Sequence, residues 1–383
     1  MDYLLEVSRI IDGAIKGDRG KVLAYVEQLA RKLQETGDTT AAERLVKTAQ
    51  KNKASEVALA GITTAARLPV DNESRLTLAD EDWIPPGEIT VILDPSAQAK
   101  VEEFICYVKA ADQLLASQVG IAPSMLIYGP PGVGKTELAR YIAAELGLPL
   151  LTGRSDSLIS SFLGSTAKNL RTLFEHAKSR PCVLFLDELD SVAKLRDDQH
   201  ELGELKRVVV SLLQNIDALD NQIVLLAATN HHHLLDPAVW RRFAYKVEIA
   251  MPSAEARKHL FELFLGGYSS DHKDVQDFAL LSENTTGADI RQICESAIRA
   301  AVIARQRTVA PIRVFREIIS YRLGGKVDFI EAQPETVWAI RTLSPKVLTG
   351  ARLANLFETS EATISRRLSL GEKKNGRRTK TAY

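Results

Sequence analysis

Over the first eighty residues, apolar positions recur every three or four residues and do not alternate. Leu4, Val7, Ile11 and Ile15 form one stripe, Val22, Val26, Leu29 and Leu33 a second, and Ala42, Leu45 and Ala49 a third. That spacing puts each stripe on one face of a helix. Gly17-Asp18 and Gly37-Asp38 fall between stripes, where breaks are expected. Residues 1–80 therefore read as an all-α N-terminal domain, either a packing unit or an adaptor surface. The following stretch, with Pro85-Pro86-Gly87 and Asp94-Pro95, reads as a linker and lead-in strand.

The pattern then changes. Helical periodicity over 97–117 gives way to a short apolar run, Met125–Tyr128, then to helix, strand (Cys182–Leu186), helix and strand (Ile223–Ala228). Short, wholly apolar strands separated by amphipathic helices imply a parallel sheet covered on both faces. An α/β core is expected over 81–251. From Pro252 the period is helical alone, over 254–266, 274–282, 287–307 and 312–322, which predicts a helical subdomain over 252–325. A loop with Pro334 then leads into a helical end, 326–383.

With 383 residues, 45% of them hydrophobic and 26% charged, the chain is an ordinary globular sequence of two or three domains. No run is long and apolar enough to span a membrane, and MDYLLEVSRIID lacks the apolar segment of a secretory signal. The expectation is a cytoplasmic protein with no membrane partner. Cys106, Cys182 and Cys294 are far apart, each in an apolar stretch, and read as small hydrophobes. The net charge of zero hides an asymmetry. Residues 336–383 hold ten Lys/Arg against three Asp/Glu, so the end is +7 and the remainder −7. An acidic body with a basic end suggests different partners for the two.

Gly129-Pro130-Pro131-Gly132-Val133-Gly134-Lys135-Thr136 fits GxxxxGK[ST], between the Met125–Tyr128 strand and the amphipathic segment 137–146. The glycines let backbone N–H groups turn inward on an anion, and the helix N-terminus adds its positive dipole end. Lys135 is expected on the β- and γ-phosphates, and the Thr136 hydroxyl on Mg²⁺. The strand Val183–Leu186 delivers Asp187 to the metal shell, and Glu188 beside it can polarise the attacking water. Together these predict an α/β P-loop NTPase that takes a nucleoside triphosphate with Mg²⁺, ATP being the nucleotide that the resemblance below implies. His231-His232-His233 point in different directions and read as a loop, not a metal triad; no HExxH occurs.

On these residues, about 95–322 resembles an AAA+ ATPase module of the central AAA clade, which remodels proteins. Further positions match one by one. Thr229-Asn230 resembles the polar sensor, with Asn230 orienting the lytic water. Leu235-Asp-Pro-Ala-Val-Trp-Arg241-Arg242-Phe243 resembles the arginine-finger segment, either arginine being the finger or an intrasubunit ion-pair partner. Ser161-Phe162-Leu163-Gly164 matches the first pore loop, and Asp197–Glu201 falls where a second pore loop or a plain solvated loop would lie. Thr286-Gly287-Ala288-Asp289-Ile290 resembles the lid segment over adenine and ribose; the stretch Ile89–Asp94 departs from the family's adenine-contacting pattern, leaving adenine and guanine both open. An arginine supplied in trans is worth roughly 10³–10⁵ in rate. The resemblance thus implies hydrolysis in a ring, usually a hexamer, acting on a protein client. The chain shows no peptidase constellation, so degradation would need a separate protease.

Leu353–Leu368 has the look of a helix-turn-helix, with a small Ala354, a cap at Ser360, and Glu358 where such turns usually carry glycine. Thr363, Ser365 and Arg366 would then face a DNA groove, the other reading being a packing hairpin at a ring rim. The tail Lys373–Lys380 is either a non-specific phosphate contact or a solvated end. The rival to remodelling is accordingly a DNA-directed ATPase, and a third reading is an ATP-gated scaffold.

Overall fold

The computed structural model describes residues 3–15, 19–54, 68–70, 77–118, 120–158, 163–193, 202–219, 223–268, 272–325 and 327–378. These fall into two compact units. The first comprises Met1–Val91, Pro95–Pro130 and Lys135–Ile249; the second comprises Ile92–Asp94, Pro131–Gly134 and Ala250–Tyr383.

The first unit is built on a six-stranded mixed sheet flanked by helices. Its strands are β1 (Ala79–Asp82), β2 (Ser124–Tyr128), β3 (Leu150–Gly153), β4 (Val183–Leu186), β5 (Val224–Thr229) and β6 (Tyr245–Glu248). Their order is β1-β3-β4-β5-β2-β6. The five from β2 to β6 run parallel, and β1 adds antiparallel at one edge. In register, Met125 pairs with Leu226, and Leu226 with Phe185. β4 and β5 are buried along their whole length, which is why both read as unbroken apolar runs. β3 (LLTG) is too short for a period, and β6 (YKVE) and β1 (ADED) carry charge because they are edges. Hence pattern alone found β2, β4 and β5 to within a residue and passed over β3 and β6.

Three expectations are corrected here. The predicted helix over 97–117 breaks at Ala110 into Pro95–Lys109 and Ala111–Ala116. Cys106 is exposed, while Cys182 and Cys294 are buried, their thiols pushed up to about 12 by burial. Successive helical residues turn by about 100°, so apolar neighbours in sequence did not put Cys106 on the inner face. In the helix Leu4–Ile15 the stripe Val7, Ile11 and Ile15 lies outward, at 41%, 52% and 80% exposure. Glu6 and Arg9 are buried instead, Glu6 beside Lys32 (2.7 Å) and Arg9 over the Tyr25 ring. Polar pairing, invisible to a hydrophobic period, decides that helix's rotation.

The second unit is helical. Ala254–Leu265, His272–Leu281, Gly287–Ile303 and Pro311–Arg322 share one core with the C-terminal helices Pro334–Leu343, Gly350–Leu356 and Glu361–Arg378. Phe261, Ile293, Ile318, Val337, Leu353 and Ile364 all belong to it. Arginines fasten the C-terminal helices to the others. Arg322 donates to the carbonyls of Leu281 and Leu343, and Arg352 pairs with Asp277 at 2.7 Å.

Candidate active site

The carboxyl ends of β2, β5 and β4, which are adjacent in that order, converge on one cluster, the position that open α/β sheets reserve for ligands. β2 runs into Gly129. A Cβ there would overlap the Ile249 carbonyl oxygen beyond β6, so glycine is required by packing as well as by the phosphate loop. Lys135 opens the helix Lys135–Leu146 and is nearly buried. Its Nζ donates to the carbonyls of Gly129 (2.9 Å) and Pro130 (2.6 Å) and to Asn230 Oδ1 (2.6 Å). Burial holds the Lys135 ammonium below its ordinary range, while Asp187 and Asp190 pull it back upward.

Thr136 Oγ1 donates to Asp187 Oδ2 at 2.8 Å, and Asp187 Oδ1 accepts the Glu188 N–H at 2.9 Å. Glu188 leaves β4 with φ of +50°, a conformation that non-glycine residues hold only when their surroundings impose it. Its Oε2 accepts from Ser155 Oγ at 3.1 Å, just beyond β3. Thr229 Oγ1 donates to Asp190 Oδ1 at 2.7 Å, tying the end of β5 to the helix after β4. Ser155 and Asp190 escaped the sequence reading. Ser155 follows a strand too short to see, and Asp190 lies outside the phosphate-handling motifs, three residues after Asp187.

In the second unit, Gly132 (φ +76°) lies against the start of Gly287–Ile303. Its carbonyl accepts the Ala288 N–H at 3.0 Å, and a Cβ on it would come 2.7 Å from Thr286 Oγ1. Thr286 and Asp289 form a reciprocal capping box at that helix start. Although burial opposes it, bonds from Thr286 and Tyr321 hold the Asp289 carboxyl below its ordinary value. Gly287 and Ala288 are thus brought beside the phosphate-loop segment Pro131–Gly134.

Arg242 forms a two-point pair with Asp217 (Nε–Oδ1 2.5 Å, Nη2–Oδ2 2.9 Å), whereas Arg241 is exposed and has no ion-pair partner among the described residues. His232 packs against Tyr128 and Trp240 at centroid distances of 4.8 and 6.1 Å. Leu163 and Gly164 open the helix Leu163–Lys178; Phe162, Ser161 and 197–201 lie outside the described residues. At the other end of the chain, Ser365 and Arg366 are exposed, while Thr363 is half-buried with its hydroxyl 2.9 Å from Ser360 Oγ.

A parallel sheet whose strand ends carry a glycine-rich phosphate loop, a lysine and an Asp-Glu pair defines a P-loop NTPase domain. Within it, residues 125–251 match the ATPase family associated with various cellular activities (AAA). The chain is 42% identical over 209 residues to an AAA family ATPase, y4kL, of Sinorhizobium fredii (55% of this chain, 62% of the relative). It is 35% identical over 221 residues to a proteasome-activating nucleotidase of Methanococcus maripaludis (55% and 54%). It is 34% identical over 199 residues to 26S proteasome regulatory subunit 10B homolog A of Arabidopsis thaliana (49% and 50%). Residues 125–251 are thus similar to the AAA family, and the chain spans about half to three-fifths of the length of these relatives. No helix among the described residues is long and apolar enough to cross a membrane.

Proposed function

We propose that this chain hydrolyses ATP with Mg²⁺ and that hydrolysis drives work on a polypeptide. The observation that carries the proposal is the cluster at the strand ends, where Lys135 bonds Asn230 (2.6 Å) and Thr136 bonds Asp187 (2.8 Å) beside Glu188. The cluster fits its ligands. The nearly buried Lys135 ammonium offers three donors to phosphate oxygens, and Thr136 with Asp187 offers the hard oxygens that magnesium prefers. A magnesium ion held there would supply charge neutralisation to the phosphate oxygens.

Thr136 and Asp187 would hold the metal; Gly129–Gly134 and Lys135 would hold the phosphates, with Gly287 and Ala288 contributing backbone. Glu188 takes a proton from the attacking water. Its Oε2 is restrained by Ser155, so its second oxygen is the one that serves. As water adds to the γ-phosphorus, the bond to the β–γ bridging oxygen breaks and ADP leaves. Asn230 orients the water, and Arg241 reaches a neighbouring subunit's nucleotide, Arg242 being engaged by Asp217. Likeness to the proteasome-activating nucleotidases and the 26S regulatory subunit supports a ring, a hexamer by that analogy, with a polypeptide client and a separate protease. Phe162, Leu163 and Gly164 would grip the client, in the cytoplasm.

Glu188→Gln should lower ATP turnover by about 10²–10⁴ while a fluorescent ATP analogue still binds. An unfolded polypeptide should stimulate the wild-type rate. Turnover within threefold of wild type in the variant sinks the assignment of Glu188, and a rate indifferent to polypeptide sinks the remodelling role.

A further inference from the structure

The C-terminal helices present polar and charged groups that the nucleotide site does not use. Gly350–Leu356 and Glu361–Arg378 are joined by only four residues, and Glu358 in that joint takes φ of +50°. Leu353, Ala354, Phe357 and Ile364 are buried between the two helices and the unit's core. Ser360 caps the second helix, accepting the Thr363 N–H at 3.2 Å. Two helices joined by a four-residue turn are the chain arrangement that a helix-turn-helix requires.

The outer face of the second helix is sharply defined. Glu361, Ala362, Ser365, Arg366 and Ser369 are all exposed, and their spacing puts them on one stripe. These five are short or polar, and Leu370, 42% exposed, borders them one turn beyond Arg366. The charges around it are sorted. Arg316 is bonded to Glu358 (3.0 Å) and Arg352 to Asp277 (2.7 Å), both inward, whereas Arg366 has no ion-pair partner among the described residues. Lys373, Lys374, Arg377 and Arg378 follow along the same helix, in the stretch that gives the end of the chain its +7 charge.

We infer that Glu361–Arg378 is a recognition helix whose exposed stripe, centred on Ala362, Ser365, Arg366 and Ser369, enters the major groove of duplex DNA. The three short side chains let the helix backbone approach the groove floor. Arg366 is long enough to reach the O6 and N7 acceptors of guanine, and Glu361 can accept from cytosine N4. The basic residues beyond supply phosphate attraction. Thr363, half-buried, has its hydroxyl 2.9 Å from Ser360 Oγ and lies at the stripe's inner edge.

The test uses the full-length protein and a fluorescein-labelled 30-base-pair duplex of mixed sequence, by anisotropy at several salt concentrations between 50 and 200 mM. Duplex binding should weaken with salt; five phosphate contacts give a log–log slope of about −4.5. Arg366→Glu and Ala362→Glu should each weaken binding by about tenfold or more. The second change puts a carboxylate in the first helical turn, where the helix dipole favours it. Folding, checked by circular dichroism and unchanged ATP turnover, should therefore persist. Selection from random duplexes should return a preferred site that Arg366→Glu relaxes. The inference is overturned by failure to bind duplex at 50 mM salt, by equal affinity for the single strand, or by duplex affinity indifferent to both substitutions. It is equally overturned if the substitutions change only the assembly mass, which would make the stripe a contact between protein chains.

Discussion

Replacing Gly371 with alanine sets two physical effects against each other. Gly371 lies inside Glu361–Arg378, where alanine is preferred to glycine by about 1 kcal/mol. Propensity alone therefore predicts a more stable protein. Packing predicts the reverse. A Cβ at 371 would come 2.5 Å from the Pro334 carbonyl oxygen and 2.7 Å from the Trp338 Cβ. Both are far inside the ~3.5–4.0 Å of ordinary contact, and the first is main chain, which cannot rotate away. The two helices must separate, loosening Val337, Ile340 and Ile364, which are fully buried. Overpacking typically costs about 1–3 kcal/mol, and two simultaneous overlaps belong at the upper end. After the propensity gain, Gly371→Ala should destabilise this region by about 1–2 kcal/mol. Because the chain forms two compact units, a single global unfolding free energy is the wrong observable. Native-state hydrogen exchange over 334–372 reads the local opening. Its amides should exchange about 5–30 times faster in Gly371→Ala. Ser369→Ala, on the exposed side of the same helix, should leave exchange unchanged or slow it. Slower exchange in Gly371→Ala would refute the close helix crossing and leave propensity in control.

The arginine pair and the capping box give two further tests. In the assembled protein Arg241→Ala should cut ATP turnover by about 10³ or more with nucleotide affinity retained; Arg242→Ala should cost far less, and the opposite ranking would show Arg242 to be the residue that crosses to the neighbour. Asp289 is held below its ordinary value of 3.8 by its Thr286 and Tyr321 bonds, burial notwithstanding, so its stabilisation is complete above that pH and disappears as pH falls through the folded value. The difference in hydrogen-exchange protection of the 287–303 amides between wild type and Asp289→Asn should therefore be present at pH 7 and shrink towards pH 3; a constant difference would mean the carboxylate charge is irrelevant to the cap.

What the sequence made legible follows from how local each determinant is. The strands that deliver Gly129, Asp187 and Asn230 are buried on both faces, so they stand out as apolar runs, and the phosphate loop is specified within eight consecutive residues. Ser155 could not be found in that way, since its role depends on β3 lying next to β4, a pairing between segments thirty residues apart. The outward rotation of Val7, Ile11 and Ile15 has the same origin, because the burial of Glu6 depends on Lys32 in another helix. Glycine was legible where a motif demanded it and silent where a distant backbone did, as at Gly371 against Pro334.

Glu358 shows how a local rule fails for a non-local reason. The turn of a helix-turn-helix calls for a left-handed residue, and a side chain other than glycine costs roughly 1–2 kcal/mol there. On sequence, Glu358 therefore weakens the motif. The turn nevertheless holds φ of +50°, because Arg316, from the helix Pro311–Arg322, reaches across to it. Its guanidinium donates to the Leu356 carbonyl from both Nε (3.2 Å) and Nη2 (2.6 Å), and Nη2 also pairs with Glu358 Oε1 at 3.0 Å. These charge-assisted bonds act on the last carbonyl of Gly350–Leu356 and on the strained residue together, and can offset the conformational cost. The glutamate thus stands where glycine is usual, with Arg316 bonded both to it and to the Leu356 carbonyl. The turn is thereby tied to the helix Pro311–Arg322 as well as to its own hairpin.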